Sequence, residues 1–481
     1  MAESLKQKTI SGMIWSGIGR MGTVGISFIS NLVLARLLMP DDFGCIGMLY
    51  VFIAISSIFI SGGLGQALIQ KKNPTHIEYT TVFYWNLVMS IIFYGILFFT
   101  APAIARFYNI PLLKQVLRVQ SIVLLIQSFS IVQANQLQKQ LRFKELSTRN
   151  ISAALAGMVV AIVMAFSGCG VWSLVGSTLT QGIVSVILLW KMSAWRPTWE
   201  FSFKALGQLF SFGGLMLLSS LVETIYTNLQ SLIIGKIYSA KDLGYYAQAR
   251  KLEEVPTNSL SAVVNEVSFP VFSALQDDKQ ALLAGVRKNV KAITYLNFPL
   301  MILMMVVAEP LITFLYGEKW LPSVPYFQIL CVSSMIYTLN TLNTNVIKSL
   351  GRSGIFLVVQ LTKRLIGIAL IVWGVRFGIV GLLWAVTSVG YISFIINAIV
   401  NGRLISYGIF KQIKDVGLCY VTAVCIGALV FFLGRLLPIH PYLLMMVQAI
   451  VFVALYWICS VLFKLEGYHT YVGIIREKLC K

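Results

Sequence analysis

Charge is what this sequence has least of. Only 12% of its 481 residues are Asp, Glu, Lys or Arg, roughly half the ~25% of a soluble domain. Acids are scarcest, 18 against 38 Lys and Arg. With 57% hydrophobic residues and a mean hydropathy of +0.80, this poverty excludes a soluble globular protein and leaves a polytopic membrane protein. The net charge of +20 does not point to nucleic acid, because the basic residues are spread among loops instead of gathered in one domain. Histidine is nearly missing: His76, His440 and His469 fall in loops or tails, which argues against a histidine-based metal or catalytic cluster. The seven cysteines (Cys45, Cys169, Cys331, Cys419, Cys425, Cys459, Cys480) contain no C-x-x-C pair. They sit mostly within apolar runs and read as small core residues. No small-residue cleavage site precedes the first apolar run, so that run is expected to be a retained span and not a signal peptide.

What is present is a series of apolar stretches of the ~20 residues a bilayer requires. About fourteen are predicted, at 12–34, 43–69, 79–101, 114–135, 147–167, 171–191, 209–235, 243–271, 288–309, 324–347, 355–375, 379–401, 414–436 and 441–463. Most links are short. Arg196-Pro-Thr-Trp199 with Phe201, Phe203 and Lys204 reads as a small helix lying at the membrane surface. Counting the Lys and Arg near span ends with the adjoining connection, nine of the 38 fall in odd-numbered connections, five well inside spans, and 24 in tails and even-numbered connections. The positive-inside rule then places both termini in the cytoplasm. Leu243 to Val271 is the weak span, yet losing it would reverse the bias of every later loop, so it is kept as a span lining a cavity.

The chain repeats itself. Leu32-Val-Leu-Ala-Arg-Leu-Leu-Met-Pro-Asp-Asp-Phe-Gly44 aligns without a gap on Leu232-Ile-Ile-Gly-Lys-Ile-Tyr-Ser-Ala-Lys-Asp-Leu-Gly244, 200 residues on. Pro102 to Tyr108 recurs as Pro310 to Tyr316, and Gly170-Val-Trp-Ser-Leu174 as Gly378-Ile-Val-Gly-Leu382. Six spans per copy gives both copies one orientation, so an axis along the membrane normal relates them, with a substrate site between. The expected organisation is an N-lobe at 1–195, a C-lobe at 196–405, and spans 13 and 14 with a cytoplasmic tail at 406–481.

The candidate site follows from polar stripes on these spans. Ser16, Arg20, Thr23, Ser27 and Ser30 share one helix face in span 1. Arg20 lies about 15 Å from the helix start and can snorkel, but the stripe running on to Ser30 favours a watery cavity. Moving that stripe forward by 200 gives Met216, Ser220, Glu223, Thr227 and Gln230 in span 7, of which four are polar. Span 8 adds Tyr246, Arg250, Glu253, Thr257 and Ser261, and span 2 adds Tyr50, Ser57, Ser61 and Gln66. The joint reading is a cavity of both charge signs. Its substrate-binding candidates are Arg20, Thr23, Ser27, Tyr50, Ser57, Gln66, Thr227, Gln230, Tyr246 and Arg250, and its ion-coupling candidates are Glu223, Glu253 and Glu254. The alternative for Arg250, Lys251, Glu253 and Glu254 is a self-neutralising cluster stapling the lobes. Lys363 and Arg364 read as snorkelling. Gly62, Gly63, Gly65 and Pro256 mark sites of bending or of close helix packing.

Leu34-Ala-Arg-Leu-Leu-Met-Pro-Asp-Asp-Phe-Gly44, Gly63-Leu-Gly-Gln-Ala-Leu-Ile-Gln-Lys71 and Gly244-Tyr-Tyr with Phe269-Pro-Val-Phe-Ser273 resemble recurring stretches of the Wzx-type polysaccharide exporters. These are flippases of the multidrug/oligosaccharidyl-lipid/polysaccharide (MOP) superfamily. The resemblance covers essentially the whole chain. It implies an all-α fold of two six-helix lobes around a cavity lined by spans 1, 2, 7 and 8, plus two C-terminal helices. It also implies alternating access that carries undecaprenyl-pyrophosphate-linked sugars from the cytoplasmic to the periplasmic leaflet of a bacterial inner membrane. No cofactor is expected beyond a proton or sodium gradient. Expected partners are the lipid-linked oligosaccharide, membrane lipids, and a polymerase with its chain-length machinery; nucleic acid is not among them. Arg20 and Arg250 suit an anionic pyrophosphate. A cation-coupled multidrug antiporter of the same superfamily would favour carboxylates in an apolar pocket. A membrane enzyme of glycan assembly would need a titratable external site.

The topology is directly checkable. Periplasmic reporters fused near Pro40, Lys241 and Gly317 are expected to be active, and those near Asn73, Arg142 and Asp278 silent. A silent fusion at Lys241 with an active one at Asp278 would reverse the second half.

Overall fold

A computed structural model describes residues 2–437 and 440–479. Among these residues the chain is helical with no strand. In order the helices are α1 (Ala2–Leu37), α2 (Pro40–Ser61), α3 (Leu64–Gln70), α4 (His76–Tyr108), α5 (Leu112–Gln120), α6 (Ile122–Ser128) and α7 (Ile131–Lys139). Then come α8 (Phe143–Phe166), α9 (Val171–Met192), α10 (Phe203–Ile237), α11 (Ala240–Ala274), α12 (Lys279–Val306) and α13 (Ala308–Tyr316). The last are α14 (Val324–Ser349), α15 (Ser353–Gly374), α16 (Gly378–Ile405), α17 (Ile409–Leu436), α18 (Pro441–Leu462) and α19 (Glu466–Leu479). Each of the fourteen expected spans coincides with a helix or a broken helix. Among the described residues nine stretches are long and apolar enough to cross a membrane, one of them, Ser353–Ile405, holding both α15 and α16. Two bent pairs, Leu112–Ser128 with Ile131–Lys139 and Phe203–Ser211 with Gly213–Ile237, turn by 43° and 54°. α11 and α14 are too polar to count on composition alone, and much of α14 is buried inside its bundle.

Apolar side chains point outward as well as inward: Phe99 is 80% exposed, Leu215 and Leu365 70% and Ile450 65%. That outer surface is what a hydrocarbon solvent demands.

Contacts divide the chain at Gly244/Tyr245 into two compact units. Although α10 begins the second copy in sequence, it packs on α2, α3 and α4 of the first. In the first unit α1 lies on α8, and α8 on α9. The α1–α8 seam is built from small residues. A Cβ on Gly19 would sit 2.3 Å from Ser147 Oγ, and one on Gly22 3.1 Å from Ile151. Such positions let backbones approach closely in a membrane. In the second unit α14 packs on α12 and α16, α12 on α17, and α19 on α12.

The repeated motif has a structural reason. α1 ends at Leu37 and α2 starts at Pro40, while α10 ends at Ile237 and α11 starts at Ala240, the same 200-residue offset. Pro40 occupies the first helical position, where its missing N–H costs nothing. Asp42 accepts the Met39 backbone N–H at 2.9 Å. In the second copy the Ser239 hydroxyl accepts the Asp242 N–H at 3.0 Å and donates to its carboxylate at 2.6 Å. Both are helix starts held by an acidic third residue. Gly44 and Gly244 then meet the opposite turn: a Cβ on Gly44 would lie 1.7 Å from the Ala240 carbonyl oxygen, and one on Gly244 2.0 Å from that of Pro40. Residue 44 thus meets residue 240, and residue 244 meets residue 40, a reciprocal pair of contacts such as a local two-fold generates. The third landmark agrees, since Gly170 and Gly378 take φ of 54° and 77° at the starts of α9 and α16.

Two expectations need correction. Residues 193–202 form no surface helix. Pro197 disfavours helical geometry at Arg196, whose guanidinium instead donates to the carbonyls of Trp190 and Ser193 at 2.7 Å and of Trp195 at 2.8 Å. Trp199, 97% exposed, stacks on Tyr84. The cysteines are free among the described residues, but only Cys45, Cys331 and Cys419 are buried; Cys169 and Cys459 are half-buried, Cys425 is exposed, and Cys480 lies outside the described residues.

Gly44→Ala should destabilise the protein by about 1–3 kcal/mol through overpacking against a rigid carbonyl. Gly17→Ala, with nothing within 4 Å of its new methyl, should be neutral or slightly stabilising. Thermal unfolding of the two purified variants in one detergent makes the comparison.

Candidate functional site

The glycine seam fixes where the first stripe points. Gly19 and Gly22 face α8, and Arg20, turned about 100° from Gly19, is left exposed with no hydrogen bond or ion pair among the described residues. Thr23 is half-buried and donates to the Gly19 carbonyl at 2.7 Å, while Ser27 is exposed. On α2, Tyr50 is 57% exposed and Ser57 half-buried. Gln66 is exposed but no longer on that helix. α2 stops at Gly62 and Gly63, with φ of 56° and 69°, and Gln66 belongs to the separate α3. The break also serves packing, because a Cβ on Gly63 would fall 2.1 Å from the Gly213 carbonyl, beside the bend in α10. Both glycine explanations therefore hold together. Lys139 secures α3 by donating to the carbonyls of Leu68, Ile69 and Lys71 at its C-terminal end. On α10, Glu223 and Thr227 are exposed and Gln230 half-buried, with the Thr227 hydroxyl on the Glu223 carbonyl at 2.9 Å.

In the second unit α11 separates its charges onto two faces. Arg250 donates to Glu254 at 2.7 Å, four residues on, and engages the buried Tyr246 hydroxyl one turn before. Both partners of this ion pair are half-buried. Glu253 turns the other way. It is 5% exposed and accepts the Thr257 hydroxyl at 2.5 Å and the Ser334 hydroxyl of α14. Arg250 therefore pairs with Glu254, and Glu253 is held by hydroxyls. Ser334 escaped the sequence reading, as did Asn345, which donates to Asn265 of α11 at 3.0 Å. The run of Asn340, Asn343 and Asn345 inside one span was the available signal. Lys363, expected to snorkel, is instead 9% exposed.

The geometry defines a polytopic helical membrane protein whose fold is shared with solved transporters. The chain aligns with the lipid II flippase MurJ in an inward closed conformation at a TM-score of 0.76, covering 94% of this chain and 98% of that one at 14% identity. An inward-facing multidrug resistance MATE transporter of the MOP superfamily aligns at 0.58, covering 82% and 98% at 14% identity. Residues 33–325 match the polysaccharide biosynthesis protein family model. The chain belongs to that family. Its relatives include the lipopolysaccharide biosynthesis protein WzxC of Escherichia coli, 26% identical over 86% of this chain and 82% of its own length. The teichuronic acid biosynthesis protein TuaB of Bacillus subtilis is 26% identical over 73% of each.

Glu253→Ala should cost stability, since it strands two buried hydroxyls at about 1–3 kcal/mol each. Glu253→Gln, which can still accept them, should lose less. Unfolding midpoints of both, against Glu223→Gln as an exposed reference, test the assignment; equal midpoints for Ala and Gln would refute it.

Proposed function

We propose that this protein flips an undecaprenyl-pyrophosphate-linked oligosaccharide from the cytoplasmic to the periplasmic leaflet of a bacterial inner membrane, for assembly of a surface polysaccharide. The observation that carries the proposal is Arg20: an exposed guanidinium on the polar stripe of a membrane span, with no ion pair or hydrogen bond among the described residues, in a family whose named relatives are polysaccharide biosynthesis proteins. A guanidinium matches the oxygen geometry of a pyrophosphate. Thr23, Ser27, Ser57, Tyr50, Thr227 and Gln230 supply the hydroxyls and amides that sugars need. Transport proceeds by alternating access, with both termini cytoplasmic, and delivers its product to a polymerase and its chain-length machinery. The protein acts as a transporter and not as an enzyme of glycan assembly.

Coupling to a proton or sodium gradient falls to a carboxylate. Glu253 suits that role best, because it is buried inside a span and bonded to hydroxyls. Such a group can exchange a proton or a small cation with less rearrangement than one already committed to an arginine, as Glu254 is to Arg250. A multidrug antiporter is less consistent with a first span that carries an arginine and no acid.

The test is polysaccharide export in a strain lacking the gene, at matched protein levels. Arg20→Lys should retain part of the activity, Arg20→Ala should lose about ten- to a hundredfold, the worth of one charge-assisted contact, and Arg20→Glu should be inactive. If Arg20 instead pairs with Glu223, exchanging the two charges restores export. Normal export by Arg20→Ala removes it from the mechanism.

A further inference from the structure

At one end of the second unit, α12, α17 and the turn from α18 into α19 enclose a cavity of about 230 Å³. Its floor is a closed charge network. Arg287 grips Asp415 with two hydrogen bonds of 2.7 Å. Lys291 lies 3.3 Å from the same carboxylate and 2.5 Å from Glu466. The Tyr407 hydroxyl adds a bond to Asp415 at 2.9 Å, whose side chain is only 4% exposed. Asp415 is thus enclosed by Arg287, Lys291 and Tyr407, while Glu466 pairs with Lys291 and stays exposed.

Two more lysines line the same cavity. Lys414 and Lys464 are exposed, and their ammonium groups make no ion pair or hydrogen bond among the described residues. Neither is there by the accident of a loose loop. Lys414 is on the first turns of α17, and Lys464 takes a left-handed φ of 50° while Leu465 N–H closes onto the Ser460 carbonyl at 3.0 Å. Four cations thus surround the cavity against two carboxylates, a local excess that favours an anion there. The remaining wall mixes Thr294 and Tyr295 with an apolar part formed by Leu418, Leu465 and Cys419. Compact ammonium groups favour phosphate. Basic pockets between spans at an anionic leaflet take phospholipid headgroups.

We propose that this cavity binds the phosphate of an anionic phospholipid and thereby fastens α19 to α12. The lipid lies in the leaflet that the charge bias makes cytoplasmic. The helix is already seated for this: a Cβ on Gly467 would be 2.4 Å from Tyr295, and the Tyr471 hydroxyl donates to the Ala292 carbonyl at 3.2 Å. Lys414 and Lys464 close the open side over the headgroup, whose chains run along the apolar part of the wall.

The experiment uses the purified full-length protein in a neutral detergent, titrated separately with dioctanoyl phosphatidylglycerol, dioctanoyl phosphatidylcholine and inorganic phosphate. The thermal midpoint and lipid adducts in native mass spectrometry are read together. Phosphatidylglycerol should raise the midpoint and form a retained adduct, whereas phosphatidylcholine should do neither. The double variant Lys414→Gln/Lys464→Gln should bind phosphatidylglycerol about 30-fold more weakly, the worth of two lysines at an anionic surface. Its lipid-free midpoint should match wild type because both side chains are unpaired. Lys414→Arg/Lys464→Arg should restore binding, and Lys72→Gln should leave it unchanged. Undiminished phosphatidylglycerol affinity in the double glutamine variant overturns the site. Lysine-dependent stabilisation by inorganic phosphate below the concentration at which the lipid acts overturns the lipid and leaves a soluble phosphate as the ligand.

Discussion

No backbone N–H or C=O can go unpaired in hydrocarbon, and everything else in this molecule is arranged around that constraint. It makes the described chain all-helical, and it raises the worth of any partner that a polar side chain inside a bundle finds there. The second unit answers with amides. Asn343 and Gln412 exchange hydrogen bonds of 2.9 and 3.0 Å, and Asn401 donates to Asn343 at 2.7 Å. Asn397 donates to Asn340 at 2.8 Å, and Asn340 passes on to the Gly390 carbonyl at 2.9 Å. Each bond ties α14 to α16 or α17 where apolar burial gives little drive between helices already in an apolar medium. The first unit relies more on small residues, with glycine backbones pressed against neighbours along α1 and at the α2–α10 crossing.

Span positions were legible because hydropathy and length are the quantities the bilayer itself measures. The repeat was legible for a different reason: the turn between the first two helices of each copy needs Pro or Ala, Asp and Gly at set positions, and that need left a sequence trace. Breaks inside spans were partly hidden. Gly62 and Gly63 announce theirs, but Leu112 to Lys139 has no glycine or proline. There Ser121, Ser128 and Ser130 bond back to the carbonyls of Arg118, Leu125 and Gln127, competing with the helix ladder. Helical spacing places such serines anywhere on a face and does not say which will bend the backbone.

The candidate site was less legible than the fold. Periodicity put Arg250, Glu253 and Thr257 on one stripe, yet four-residue spacing also lets neighbouring turns choose different partners. Arg250 reaches forward to Glu254, and Glu253 leans to a serine eighty-one positions away on α14. One-dimensional spacing cannot contain that second choice, because the deciding hydroxyl belongs to another helix. The exposed members, Arg20, Ser27, Tyr50, Glu223 and Thr227, were legible as a polar face, which is all that a stripe records.

The reciprocal approach of Gly44 to Ala240 and of Gly244 to Pro40 ties the history of one copy to the other. Across the thirteen paired positions of the repeat, only Leu32 and Leu232, Asp42 and Asp242, and Gly44 and Gly244 are identical. At this joint each half is the other's mould. A larger residue on either side has to be matched by retreat of a backbone belonging to its counterpart, so neither half can be replaced alone by that of a distant relative. The thirteen-residue repeat ends at the joint where each copy forms part of the other's environment.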